Sequence, residues 1–389
     1  MSSLPQNRIF DAPSSPLKCA TILLAGGKGT RLHDLTASDS KPAVPFAGRN
    51  RIIDFAMANA VRSGIGQMLV ATQYAPQTLH DYLPARWGRH FDRSGLVLQD
   101  GCGRYLGTAD ALRHNWDRIA QSPSDEVLVL AADHVYDMDY AALVARHRQS
   151  GAVATVAVDV VPLAQASGFG VMQADGDGKI TSFLEKPAHP PAMHGDPRRA
   201  LVSMGVYVLS KRWLKTVLFD THPQAMDFGH DVIPLAVGQG MAAVYKLPAG
   251  PDGHTYWRDV GTLDALRLAQ LDFVHGSPAR LPRAGAVTDW HLGQGSVAMM
   301  GAVVSHSADL RNTIVAPGCY VPPGLVAGHD PQEDAAWFTR TPGGTVLITQ
   351  AMLDRRAVLR IPQSRMRVAP QFGHPHQVRS SLVKDQQHA

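Results

Sequence analysis

The residues best suited to bind an anion form the run GGKGTRL at positions 26–32. Glycine N–H groups can approach a phosphate more closely than those of residues that carry side chains. Lys28 and Arg31 add positive charge where a triphosphate would lie. A second run, KPAVPFAG at 41–48, opens with another cation, Lys41. This is not the GxxxxGK[ST] pattern of P-loop enzymes, because the lysine is misplaced and no Ser or Thr follows it directly. Cys19, Cys102 and Cys319 are far apart, without CxxC spacing, which argues against a zinc site or a disulfide framework. The 18 histidines are dispersed, with no HExxH arrangement.

These groups need elements to position them. Residues 21–24 are a short apolar run that meets the glycines at once, which reads as a buried strand entering a loop. Residues 68–71, 126–130 and 152–158 repeat the pattern, with helices expected over 52–62, 108–120 and 140–148. Such alternation predicts an α/β domain with a mostly parallel sheet and its ligands at the carboxyl ends of the strands. Beyond Gly276 the pattern changes. Apolar residues recur every sixth position at Ala298, Val304 and Leu310, then after a one-residue slip at Val315 and Val321. That period is the signature of a parallel β-helix, although a short ordinary β-segment fits almost as well. The expected divisions are a loose arm over 1–17, a first domain over 18–278, a second over 285–360 and a disordered basic tail over 361–389.

Bulk properties exclude several classes. With 389 residues, 45% hydrophobic, the chain can bury a substantial core. A net charge of +4 with 18% charged residues suits phosphate ligands but is too small and scattered for a nucleic-acid binder. The N-terminus has no apolar core for a secretory signal, and no apolar run is long enough to span a bilayer. A cytoplasmic protein with no membrane partner is expected.

The combination of GGKGTRL, KPAVPFAG and RIID at 51–54 resembles the nucleotidyltransferases that activate sugar 1-phosphates, and within them the ADP-glucose pyrophosphorylases. The likeness runs on through ATQY (71–74), YLGTADA (105–111), LAADHVY (130–136) and GFGVM (168–172). LEKP (184–187), SMGVY (203–207), DFG (227–229) and YWRDVGT (256–262) complete it in the family's order. It implies a Rossmann-like catalytic domain followed by a short left-handed parallel β-helix. The activity implied is ATP plus glucose 1-phosphate to ADP-glucose plus pyrophosphate, with Mg²⁺ as cofactor, in a homo-oligomeric dimer or tetramer.

The resemblance also implies residue roles. Asp133 and Asp259 match the metal-binding aspartates. Lys28, Arg31 and Lys41 would neutralise the reacting phosphates and, with Asp133, form the catalytic set. Gly26, Gly27, Gly29, Thr30, Gln73, Tyr105 and Gly107 match nucleotide-binding positions. Gly170, Glu185, Lys186, Ser203, Tyr207, Asp227, Phe228 and Trp257 match the sugar-phosphate pocket. Two alternatives stay open: a transferase using UTP, dTTP or GTP, and a non-catalytic regulatory subunit. The second is opposed by the joint presence of Lys28, Arg31, Asp133, Lys186 and Asp259.

Departures from the pattern set further expectations. Ala132 replaces a glycine before the metal aspartate, and Leu106 replaces a polar or basic residue. Ser38 and Asp39 stand where bisphosphate-activated relatives carry basic residues, and Arg104 replaces an aromatic one. Activation by fructose bisphosphate is therefore expected to be absent or altered, and an assay at saturating bisphosphate tests this. A β-helix of roughly two turns is expected to lean on the catalytic domain.

Overall fold

The structure is a computed structural model that describes residues 16–248, 255–274, 279, 280, 282 and 290–359. Residues 1–15 of the expected arm, most of the boundary between 278 and 285, and the tail over 361–389 lie outside the described residues. Leu17, placed in the arm by its sequence, instead donates its N–H to Gly64 at 2.9 Å and bridges Ile65.

The first apolar run forms β1 (Ala20–Leu24), joined in parallel by β2 (Met68–Thr72), β3 (Leu96–Asp100) and β4 (Glu126–Ala131) in the order β3-β2-β1-β4. The central strands β1, β2 and β4 are buried over nearly their whole length, as parallel strands covered on both faces must be. β5 (His134–Tyr136) leaves this sheet, which continues through β6 (Ala154–Pro162), β7 (Gly170–Ala174), β8 (Ile180–Glu185), β9 (Arg199–Ser210) and β10 (Ala242–Lys246). β9 runs antiparallel to β4, β6 and β7, and β8 is antiparallel to β7, so the sheet is parallel at its core and mixed at one side. A separate two-stranded ribbon pairs β11 (Trp257–Asp259) with β5.

Two of the expected helices appear as α1 (Ile53–Arg62) and, after α2 (Gln77–Trp87), α5 (Tyr140–Ser150). The helix expected over 108–120 is instead two, α3 (Thr108–His114) and α4 (Trp116–Ala120). Asn115 separates them at φ −105° and ψ 12°. Its amide donates to the Ala111 carbonyl and to Tyr105 Oη, both at 2.8 Å, and so competes with continued helix.

α6 (Leu263–Leu271), capped by Thr262, links the catalytic domain to the C-terminal one. There the hexad pattern becomes stacked parallel rungs. Ala298 pairs with Val315, Val304 with Val321 and Leu310 with Ala327. A further rung, Val346–Ile348, extends one face. This short β-helix does lean on its neighbour: Val297, Ile314 and Leu347 share a buried cluster with Leu263 and Leu266 of α6 and with Leu32, Val44 and Phe46. No helix among the described residues is long and apolar enough to cross a membrane.

Candidate active site

A cavity of about 510 Å³ opens where Leu24, Ala71 and Ala131 end or nearly end their strands, the position expected for a parallel sheet. A larger cavity, about 840 Å³, lies beside the β7–β8 ribbon and contains none of the expected site residues. Most of the expected site residues gather around the smaller one.

Its glycine loop is held at both sides. The Ala25 N–H donates to Ala71 O at 2.8 Å, and Lys41 N–H donates to Gly27 O at 3.2 Å. Gly26 and Gly27 line the cavity. Gly29 sits at φ +69°, and a Cβ there would lie 2.6 Å from Lys41 Cβ. An L-residue at this φ costs roughly 1–2 kcal/mol, and the contact would also displace Lys41. A displacement near ~1 Å costs about 10²-fold in rate. Gly29→Ala is therefore expected to lower kcat about 10²-fold with only a small change in melting temperature. Wild-type kcat in that variant would show that the loop does not set Lys41.

Lys41 is 5% exposed, with Nζ 3.0 Å from Asp133 Oδ2 and 2.9 Å from Asp259 Oδ1. Burial pulls its pKa down, but the two carboxylates more than offset this and raise it overall. It is thus a fixed cation at neutral pH. Burial pushes the Asp133 carboxyl up, yet Lys41 and then His134 hold it below the usual carboxylate range. His134 Nε2 stands 3.7 Å from Asp133 and 3.8 Å from Asp259, while Nδ1 faces Met204 O at 3.1 Å.

Two carboxylates that already share one cation are a fitting donor set for a hard divalent ion. Among the described residues no group of three or more His, Cys, Asp or Glu is arranged to hold a metal. Such an ion would complete its shell with substrate oxygens and water, as Mg²⁺ commonly does. Arg31 approaches from the loop. A Cβ on Gly261 would lie 2.8 Å from its guanidinium and 3.0 Å from Asp259, so a side chain at 261 would force them aside.

On the ribbon side, Glu185 pairs in register with Gly170. A Cβ on Gly170 would meet Phe183 at 2.5 Å, and one on Gly229 would meet Glu185 Oε2 at 2.5 Å, so both glycines clear space for Glu185. Lys186 adopts φ +45°, and its Nζ lies 3.0 Å from Glu185 Oε1. Ser203 and Tyr207 flank a register break in β9, their hydroxyls 3.3 Å apart. The Tyr207 ring is 5.6 Å from that of Phe228.

Several expected ligand residues that line the cavity also serve the structure around it. Asp227 Oδ1 accepts the N–H groups of Gly229 and His230 at 2.8 and 3.0 Å, and Oδ2 accepts the Thr108 hydroxyl at 2.8 Å. Gln73 clamps the Tyr105 backbone, accepting its N–H at 2.7 Å and donating to its carbonyl at 3.0 Å. Gly107 lets this loop pass close to the 226–227 chain: a Cβ there would be 2.3 Å from Met226 O.

Four expected residues do not line the cavity: Lys28, Gly29, Thr30 and Trp257. The Lys28 ammonium stands 5.1 Å over the Tyr74 ring, at the exposed edge of the loop. Trp257 is buried beneath the site, its ring 5.3 Å from His134 and 5.2 Å from Phe169. It supports the floor rather than forming it. Leu106 stands at the rim, 74% exposed, while Ala132 is fully buried. Asp39 accepts a hydrogen bond from Thr78 at 2.5 Å.

The motifs by themselves give no role to His134, Phe169 or Gly261. His134 lies in the LAADHVY motif and Gly261 in YWRDVGT, so nearness to Asp133 and Asp259 is the signal that marks them. Phe169 precedes Gly170, and Thr108, in the 107–110 turn matched to nucleotide-binding positions, bonds Asp227.

The family described as Nucleotidyl transferase matches residues 20–275, and the GlmU-like, C-terminal hexapeptide family matches 281–348. The chain is 37% identical over 406 residues to a glucose-1-phosphate adenylyltransferase of Cereibacter sphaeroides, covering 86% of this chain and 96% of that one. To the enzyme of the same name from Jannaschia sp. it is 38% identical over 404 residues, with the same coverage of each.

Proposed function

The chain belongs to the nucleotidyl transferase family, and on that premise we propose that it joins glucose 1-phosphate to ATP, forming ADP-glucose and pyrophosphate. This is the step that activates glucose for glycogen-like α-glucan synthesis. The observation that carries the reading is the meeting of Asp133 and Asp259 on one ammonium group beneath a glycine loop.

A phosphate oxygen of glucose 1-phosphate attacks the α-phosphorus of ATP, and pyrophosphate leaves in line. A phosphomonoester has a second pKa near ~6, so the nucleophile is already ionised at neutral pH and needs no general base. The obstacle is repulsion between two anions, which the site must overcome by fixed charge and alignment. Lys41 supplies a buried positive charge whose position is set by its carboxylate partners. Lys28 and Arg31 stand on the loop side, where they meet the departing β- and γ-phosphates. Gly26 and Gly27 present backbone N–H groups to the triphosphate. Lys186 meets the sugar phosphate, and Glu185 accepts from ring hydroxyls in the space left by Gly170 and Gly229. Asp227 keeps Phe228 and the 227–229 turn in place, and Gln73 does the same for the Tyr105 loop against the nucleoside. Asp133 and Asp259 would hold Mg²⁺, whose charge would offset the repulsion between the two phosphate substrates.

The same reading includes a homo-oligomer. Support comes from Val303 and Tyr320, adjacent across two rungs and 57% and 54% exposed on the β-helix. A monomeric mass by sedimentation would remove that part.

The activity is tested by incubating the purified chain with Mg²⁺, glucose 1-phosphate and each nucleotide in turn, then measuring pyrophosphate. Release with ATP alone is expected. Release with UTP, dTTP or GTP instead would move the chain to another branch, and none with any would make it a regulatory partner.

A further inference from the structure

Asp259 reaches the site on chain that the large sheet does not hold. β11 is three residues long, and its strand partner is β5. Arg258 of β11 and the preceding Tyr256 are tied instead to the C-cap of α6: Arg258 Nε and Tyr256 Oη both donate to Asp272 Oδ2, at 2.9 and 3.0 Å. From Asp259 the chain runs through Val260, Gly261 and Thr262 directly into α6. Strand, connection and helix therefore form one packed unit.

The C-terminal domain grips that unit at its near end. Asp264 Oδ1 accepts the hydroxyls of Thr341 at 2.7 Å and Thr345 at 2.5 Å. Thr345 Oγ1 accepts in turn from Arg267 Nε at 2.9 Å, and Arg267 Nη1 donates to Gly295 O at 2.9 Å. Arg267 is 7% exposed and Thr345 fully buried, so water cannot readily replace a lost bond. Gly343 comes so close that a Cβ there would lie 2.7 Å from the Asp264 carboxylate.

We infer that Thr345, with Asp264 and Arg267, is a positioning residue for Asp259. The C-terminal domain thereby fixes where the second carboxylate stands opposite Asp133. None of the three lines the catalytic cavity. They act through α6 and residues 260–262, and productive sites tolerate only about 0.5 Å of error. The inference rests on the reading of Asp133 and Asp259 as metal ligands.

The test compares Thr345→Val, close in shape but without the hydroxyl, with Thr345→Ser, which keeps it, both in the full chain. In Thr345→Val the Mg²⁺ concentration for half-maximal activity is expected to rise about tenfold, the scale seen when groups that orient metal ligands are lost. The KM for glucose 1-phosphate stays within about twofold, because Glu185 and Lys186 lie on the other domain's ribbon. Thr345→Ser stays near wild type. Mn²⁺ binding in the presence of ATP, read by electron paramagnetic resonance, weakens in parallel without any turnover. Unchanged Mg²⁺ dependence and Mn²⁺ affinity in Thr345→Val would overturn the inference, whatever happens to the melting temperature. Should that variant fail to fold, Thr341→Val, which spares the Arg267 bond, carries the same comparison. If Asp259→Asn leaves Mn²⁺ affinity unmoved, the parent reading fails; if Asp259→Asn weakens it and the threonine variants do not, only this inference fails.

Discussion

Asp133→Asn and Asp259→Asn each lower kcat by about 10³-fold with ATP, glucose 1-phosphate and Mg²⁺, corresponding to about 4 kcal/mol of lost transition-state stabilisation. Asparagine keeps the shape of the side chain but loses the charge that a hard cation needs. Each change also leaves the Lys41 ammonium with one carboxylate instead of two. Because Asp133 is 35% exposed at its side chain, solvent can compensate part of that loss, and the stability cost is about 1 kcal/mol. The melting temperature should thus barely move while turnover collapses. The pH dependence has a definite sign. Lys41 and His134 hold the Asp133 pKa below its ordinary value, so its contribution to stability is full above about pH 4 and fades as pH falls further. Asp133→Asn should lack that part of the acid sensitivity. Turnover within tenfold of wild type in either variant would remove these carboxylates from the catalytic set.

Local features were legible in the sequence, and long-range ones were not. The glycine loop follows β1 directly, so a four-residue apolar run announced both strand and loop. The hexad period, with its one-residue slip, anticipated the rungs, since Ala298 does stack on Val315 and Val304 on Val321. By contrast, Lys41 finds its partners 92 and 218 residues away, and no local pattern could say that one ammonium joins both. β9 escaped for a different reason. It is buried along almost all of its twelve residues, so it reads like a central parallel strand although it pairs antiparallel with three strands. Residue type also fails to separate a carboxylate that receives a sugar from one that caps a turn. Asp227 matches the first role and lines the cavity, and its oxygens also accept three hydrogen bonds from the protein. Gln73 likewise lines the cavity while its amide bonds to Tyr105, whereas Trp257 lies beneath the cavity floor. What family resemblance supplied was the neighbourhood. Division of labour within it depends on contacts that only folding creates.

Lys41→Met should be the most informative single change, because it separates charge at the site from shape. In the folded chain Lys41 offsets two carboxylates that converge on its nitrogen. Methionine fills a similar volume but leaves those carboxylates facing each other without a counter-charge. An uncompensated cluster of this kind costs about 2 kcal/mol here, reduced from buried-pair values because both aspartates keep some exposure. For a chain of this size that is about 2–3 °C in melting temperature. The loss should shrink as pH is lowered, since protonating one carboxylate relieves the repulsion, and millimolar Mg²⁺ should restore stability by taking the vacated position. Wild type behaves in the opposite sense. Its Lys41 pKa is raised, so that stabilisation is complete below about pH 10.4 and is lost as pH climbs beyond it. Turnover in Lys41→Met should fall about 10³-fold even with Mg²⁺ saturating, because the buried charge facing the phosphates is gone. Thermal melts at pH 5 and 7.5, with and without Mg²⁺, distinguish the possibilities. A variant as stable as wild type at pH 7.5 without Mg²⁺ would mean that the two carboxylates do not share Lys41 in solution, and a divalent ion would then have no ready-made place between them.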